Sequence, residues 1–133
     1  MIRPSRRAFP SAHDYWDGNW VYAMIEIAAG AFGGQFEAML RAEEFARFRD
    51  ELCPLYQNLI GTATFDTREG WLRLNVEGDG KGHFHAKCEA HDYPGTGNRL
   101  AFGIDFDQTE LPDVVRGLDV ICEAYPVVGN APV

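Results

Sequence analysis

The chain has 133 residues, 46% of them hydrophobic and 24% charged, with 20 acidic against 12 basic side chains and a formal net charge of −8. This length predicts one domain with a real hydrophobic core, needing neither disulfide nor metal to close it. No apolar run approaches the roughly 18 residues that span a bilayer, and an acidic field repels nucleic-acid phosphates, so membrane and nucleic acid are not expected partners and a basic protein is.

Residues 1–14, with Pro4, Pro10, Arg3, Arg6 and Arg7, read as a flexible lead-in to a single α+β domain over residues 15–126, followed by a tail at 127–133. Those arginines apart, the body of the chain is more acidic still. The N-terminus lacks the apolar stretch of a signal peptide, so a cytoplasmic location is expected. Cys53, Cys88 and Cys122 lack CxxC spacing and sit among apolar neighbours, as buried free thiols in a reducing compartment do.

Trp20 to Ala28 alternates Val21, Ala23, Ile25 and Ile27 with Trp20, Tyr22, Met24 and Glu26, the period-two pattern of a strand. The glycine-rich connection Ala29 to Gly34 turns it into a second strand, Gln35 to Arg41. From Ala42 to Leu59 the period lengthens, and Phe45, Phe48, Leu52, Leu55 and Leu59 form the stripe of an amphipathic helix. Ala42 stands where a capping Ser, Thr or Asp is usual, and Pro54 predicts a kink or break near Leu52 and Cys53.

Four strands follow. Ile60 to Thr67 leads through Arg68-Glu69-Gly70 into Trp71 to Glu77, and Gly78 to Gly82 turns that strand into the most regular stretch of the chain. There His83, His85, Lys87, Glu89 and His91 alternate with Phe84, Ala86, Cys88 and Ala90. Tyr93 to Asn98 turns again into Arg99 to Asp107. A second helix is marked by Leu111, Val114, Val115, Leu118, Ile121, Cys122 and Tyr125, with Thr109 as its expected cap and Pro112 in its first turn. The order β-β-α-β-β-β-β-α with short turns predicts a largely antiparallel sheet of about six strands carrying both helices on one face. The other face then collects Trp20, Tyr22, Gln35, Glu37, Met39, Trp71, Arg73, His83, His85, Glu89, Arg99 and Asp105, rich in the aromatic and charged anchors that partners use.

Chemistry is scarce by comparison. His83 and His85 share a strand face and could reach one ion, which keeps a metal-dependent hydrolase open as an alternative. His91 is about 20 Å from His85 along an extended strand and cannot join them, and no HExxH or Cys/His quartet completes a site, so no metal or other cofactor is expected. Gly78-Asp79-Gly80-Lys81-Gly82-His83 fails the phosphate-loop pattern, because a strand follows it rather than a helix; it reads as a hairpin turn. Neither catalytic residues nor a nucleophile beside a base can be assigned.

Three groups of residues carry a resemblance. They are Asp14-Tyr15-Trp16-Asp17-Gly18-Asn19-Trp20, then Glu69-Gly70-Trp71-Leu72 with Gly78 to His83, then Pro94 to Asn98 with Asp107-Gln108-Thr109-Glu110-Leu111-Pro112. Together, over about Tyr15 to Tyr125, they resemble the WapI-like bacterial immunity proteins. The resemblance implies a non-enzymatic antidote that binds and blocks the toxin domain, nuclease-type in the namesake system, of a contact-dependent weapon. It supplies no catalytic residues. The partner-binding residues expected from the exposed face are Trp20, Tyr22, Trp71, Arg73, His83, His85, Glu89 and Asp105. A self-associating structural protein, a homodimer through the same face, is the other reading.

Overall fold

The computed structural model describes residues 1–132. Its elements run β1 (Ile2–Arg7), α1 (Tyr15–Gly18), β2 (Trp20–Ala29), β3 (Phe32–Arg41), α2 (Ala42–Asn58), β4 (Ile60–Asp66), β5 (Leu72–Asp79), β6 (His83–His91), β7 (Arg99–Asp107) and α3 (Leu111–Ala124). The α+β class, the antiparallel pairing and the order of the expected elements are as the periodicity indicates. The strands, however, divide into two sheets, β1-β2-β3 and β4-β5-β6-β7. Each is an antiparallel meander that ends in a long helix.

One core serves both sheets. Ala23, Ile25, Ala38 and Leu40 of the first and Phe65, Val76, Phe84 and Ala86 of the second bury their side chains in the same cluster as Phe45, Leu52, Leu111 and Leu118 of the helices. Phe65 is gripped by Phe45 and Phe48, with ring centroids 5.3 and 5.5 Å away. Toward Phe106 the inner face of the second sheet is covered by α2 and α3. Around Leu72, Leu74 and Phe102 it is approached by Ile25 and Ile27 of β2. Two curved layers with helices filling the remaining space bury more apolar area than one open sheet of this length could.

The lead-in expected at residues 1–14 needs correction. Residues 2–7 form an edge strand paired to β2, with Ile2 opposite Ile25 and a register shift between Pro4 and Arg6. Pro4 is tolerated because the strand is an edge and irregular there. The arginines hold it down: Arg3 binds the Glu26 carboxylate at 2.6 Å, Arg6 lies 4.3 Å over the Tyr22 ring, and Arg7 donates to the carbonyls of Gly18 and Pro126. The tail is likewise attached at its start. Asn19, wholly buried, donates from Nδ2 to the Val128 carbonyl at 3.0 Å and accepts the Val128 N–H at 2.9 Å. A Cβ on Gly18 would come within 2.5 Å of Val128, which accounts for glycine in the Trp16-Asp17-Gly18 stretch.

Two further expectations shift. The helix α2 runs unbroken through Pro54, since packing of Phe48, Leu52 and Leu55 outweighs the one backbone hydrogen bond that proline forfeits. Its end falls instead at Leu59, in the left-handed region with φ 65°, whose N–H returns to the Leu55 carbonyl. At α3 the residue before the first turn is Glu110 rather than Thr109. Thr109 donates its N–H and hydroxyl to Asp107 and so tightens the preceding turn.

The junction of β3 and α2 holds the most buried charge. Arg41, 1% exposed, donates to the carbonyls of Trp16 at 2.8 Å and Tyr15 at 2.7 Å and to the Glu43 carboxylate, while its guanidinium sits 4.7 Å from the Trp20 ring centroid. Glu44, 5% exposed, accepts the N–H groups of Arg41 and Arg68 on Oε1, whereas its Oε2 has no hydrogen-bond partner. The Arg41 contact is one half of a capping box; the other half is missing, because a guanidinium cannot accept the N–H of Glu44.

Two expected outcomes follow from this junction. Arg41→Lys keeps the charge but cannot reach Tyr15, Trp16 and Glu43 with one planar fork, so it should cost about 2–3 kcal/mol in urea unfolding. Burial pushes the Glu44 carboxyl up to about 8, with the Glu43 charge adding and the Arg68 and Arg41 N–H groups opposing. Because the folded value lies above the unfolded one, its contribution is full below about pH 4.5 and is lost as pH rises through about 8. Urea midpoints measured across that range should fall for the wild type through this group. They should fall less for Glu44→Gln, which still accepts the Arg41 N–H.

Candidate functional site

The outer face of the second sheet is the most developed open surface. Register places Glu77, His85 and Asp105 side by side across β5, β6 and β7; the next rows are Asn75, Lys87 and Gly103, then Arg73, Glu89 and Ala101. Period-two alternation sends all of these away from the core, since the intervening Phe84, Ala86, Cys88 and Ala90 are buried.

Charges on this face are arranged in contact. His85 Nδ1 is 2.7 Å from Asp105 Oδ1, so that nitrogen carries the proton and donates to the carboxylate. Glu89 accepts from Arg99 at 2.9 and 3.0 Å and lies 3.5 Å from His91 Nε2. The hydrogen bond from Arg99 holds Glu89 below the usual carboxylate range, and Glu89 in turn raises Arg99. Around this pair Arg73, Asn75, Lys87, Ala101 and Phe102 line a shallow hollow of about 460 Å³. Preset side-chain orientations of this kind lower the ordering cost of a polar contact with a protein partner.

The hairpin leading into β6 has the structure of a turn. Asp79 Oδ1 accepts the N–H groups of Lys81 at 2.7 Å and His83 at 3.2 Å, which lowers the Asp79 carboxyl, and Gly80 and Gly82 take φ of +82° and +96°. The carboxylate takes up two of the loop's N–H groups. Cys88 faces the core, and burial pushes its thiol up to about 11, away from nucleophilic use. All three cysteines are unpaired. Among the described residues no group of three His, Cys, Asp or Glu side chains is placed to hold a metal ion.

Of the residues singled out from sequence, Arg73, His83, His85, Glu89 and Asp105 share this outer face. Trp20, Tyr22 and Trp71 do not. Trp20 and Tyr22 lie on the outer face of the first sheet, partly covered by the guanidinium groups of Arg41 and Arg6. Trp71 sits between the sheets, stacked on Phe36 of β3 at 6.1 Å and edge-on to Tyr93 at 6.3 Å, with its indole N–H buried and unpartnered. Strand parity says which residues share a side of one strand but not which sheet that strand joins, and this separates Trp20 and Tyr22 from the histidines; Trp71, expected to begin a strand, lies in the bend before β5 and so outside the alternation that carries Arg73. Asn75, Glu77 and Lys87 belong to the face by the same parity that marks Arg73 and His85.

Two antiparallel meanders, three helices and a charged sheet face around a single core define a small α+β domain whose main open feature is a surface rather than a cleft. Residues 1–126 match the Immunity protein WapI-like family, and the chain belongs to that family. The search of curated proteins finds no match. Among solved structures the chain is similar to one described as crystal structures of Trypanosoma bruciei MRP1/MRP2, at 15% identity and a TM-score of 0.48, covering 80% of this chain and 68% of that one. At that score the likeness carries no argument. No helix among the described residues is long and apolar enough to cross a membrane.

The position of Trp71 has a measurable consequence. Trp71→Phe keeps an aromatic ring between Phe36 and Tyr93 and removes the unpartnered N–H, so its stability should stay within about 1 kcal/mol of the wild type. Trp71→Ala empties the joint and should cost about 3 kcal/mol in the same urea titration.

Proposed function

We propose that this protein is a non-enzymatic immunity protein that neutralises a toxin domain, nuclease-type, by binding it through the outer face of β5, β6 and β7. Membership of the immunity family is the observation that carries the reading. The face supports it physically. Carboxylates Asp66, Glu77, Glu89, Asp105 and Asp107 stand among Arg73, Lys87 and Arg99, and the chain as a whole carries a formal −8. Such a field accelerates encounter with a basic domain, and the ordered charge pairs then select register.

In this reading His85 with Asp105, and Arg73 with Glu89, make the central polar contacts, and His83 lies at the edge opposite Asp107. Trp20 and Tyr22 stand on a different sheet and take no part in this contact. Their rings serve the packing of Arg41 and Arg6 instead. Inhibition needs no chemistry on the antidote's side: a face this wide occludes the toxin's active site or its route to substrate. The setting is the cytoplasm of the cell that must survive the toxin.

The test is co-expression with toxin domains encoded beside the gene, followed by affinity capture. Protection together with a complex is expected, and the complex should weaken with salt. Asp105→Arg, on an exposed position, and Glu89→Arg, on a half-buried one at the sheet surface, should each weaken the complex at least about tenfold, with folding checked by circular dichroism. Absence of both protection and capture for the wild type would sink the reading. Protection by the wild type with no effect of either variant would keep the antidote role and move its docking surface elsewhere.

A further inference from the structure

The outer edge of β7 is an open sheet edge. β7 closes one side of its sheet, pairing only with β6, and its nine residues keep one continuous register with no bulge. Of the other sheet edges, β1 shifts register between Pro4 and Arg6; β3 and β4 keep unbroken registers, but β3 carries Gly33 and Gly34 in succession near its start and β4 has Gly61 at φ +124° as its second residue. An unbroken edge presents a row of free N–H and C=O groups, which is a template for another strand.

The sequence of β7 says which strand fits. Around Gly103 it is chemically self-complementary: Arg99 and Asp107 are equidistant from the centre, as are Leu100 and Phe106, Ala101 and Asp105, Phe102 and Ile104. In an antiparallel pair with its two-fold axis at Gly103, Arg99 faces Asp107 of the second copy twice over. On the inner side Leu100 meets Phe106 and Phe102 meets Ile104, again twice. A shift of the axis to Asp105 opposes like carboxylates, a shift to Ile104 sets Arg99 against Thr109 instead of Asp107, and a register slip of one residue sets apolar side chains against charged ones. The Gly103 register alone pairs all nine residues with charges matched and faces kept.

The surroundings agree with this. Ile104 and Val114, each 42% exposed, sit at the mouth of an apolar hollow of about 360 Å³ between β7 and α3, which Leu111, Phe106 and Leu74 also line. A second hollow, about 130 Å³, continues from Ile104 and Leu74 toward Met1 and Ile2. Both hollows border Ile104, which lies on the inner side of the β7 edge. The outer face of the sheet stays open.

We infer that this protein forms a two-fold dimer by antiparallel pairing of β7 with β7 of a second copy, centred on Gly103, which joins the two four-stranded sheets into one of eight strands. Both outer faces then lie on the same side of the joined sheet, so one dimer presents two copies of the charged face. The inference is independent of the identity of the toxin, because the contact leaves Arg73, His85 and Glu89 uncovered.

Site-directed cross-linking tests the register. Directly opposed residues of an antiparallel pair lie about 4.5–5.5 Å apart at Cα, within the span of a disulfide. Gly103→Cys should therefore give a covalent dimer under mild oxidation at micromolar concentration. Its new Cβ meets only the exposed His85 ring closely, at 3.0 Å, and that ring can turn aside. Ala101→Cys, whose own copy lies about 13 Å away across the axis, should cross-link no more than the wild type. Light scattering should give twice the monomer mass for the wild type and monomer for Arg99→Asp, with Asp107→Arg added to Arg99→Asp restoring the dimer. A wild type monomeric at every concentration, or equal cross-linking at positions 101 and 103, would overturn the pairing, while toxin capture by that monomer would leave the antidote reading intact.

Discussion

Arg41 is the buried charge on which β3, α2 and α1 converge. It ends β3, precedes α2, and reaches back across the chain to the carbonyls that close α1. A guanidinium in this position is expensive to desolvate, and the protein offsets that cost with two carbonyls, a carboxylate and the faces of Tyr15, Trp16 and Trp20. Asn19 extends the same knot to Val128. The N-terminal strand, the short helix, the first long helix and the start of the tail are thus tied together at one end of the core. The second sheet, packed through Phe65 and Phe84, is free to expose its far face.

This division of labour bears on function. One end of the protein is occupied by internal satisfaction of buried polar groups, with Glu43 and Glu44 each left one bond short. The outer face of the second sheet has the opposite character: its charges are paired side to side but remain in solvent, where a partner can exchange them for its own at small cost. An antidote has to remain folded and soluble until the toxin arrives and then bind at once. In the role proposed for this face, strands carrying preset charges on an acidic body meet both demands.

Much of the architecture was legible in the residues. The alternation of His83 to His91 placed a strand with one buried and one open face, and the three-to-four spacing of Phe45, Phe48, Leu52 and Leu55 placed a helix that proline did not stop. The turn at Gly78 to Gly82 was legible because Asp and Gly act locally, through an Asx contact and positive φ. The strand at Ile2–Arg7 was not, because Pro4 and three arginines read as solvated chain until Glu26, Tyr22 and Pro126 are brought to them. Nor was the place of Trp71, whose neighbours Phe36 and Tyr93 are far from it in sequence.

The sequence by itself determined the class of the domain, the strand and helix periods, which side of each strand meets the core, and the resemblance that leads to the immunity family. These properties are local: they depend on side chains two, three or four positions apart. Tertiary structure alone decided that the strands form two sheets and that His85 finds Asp105 while Trp20 finds Arg41. It also decided that β7 is left as a regular open edge. A strand's parity is intrinsic to it, but its neighbours are chosen by how the whole chain buries its apolar area.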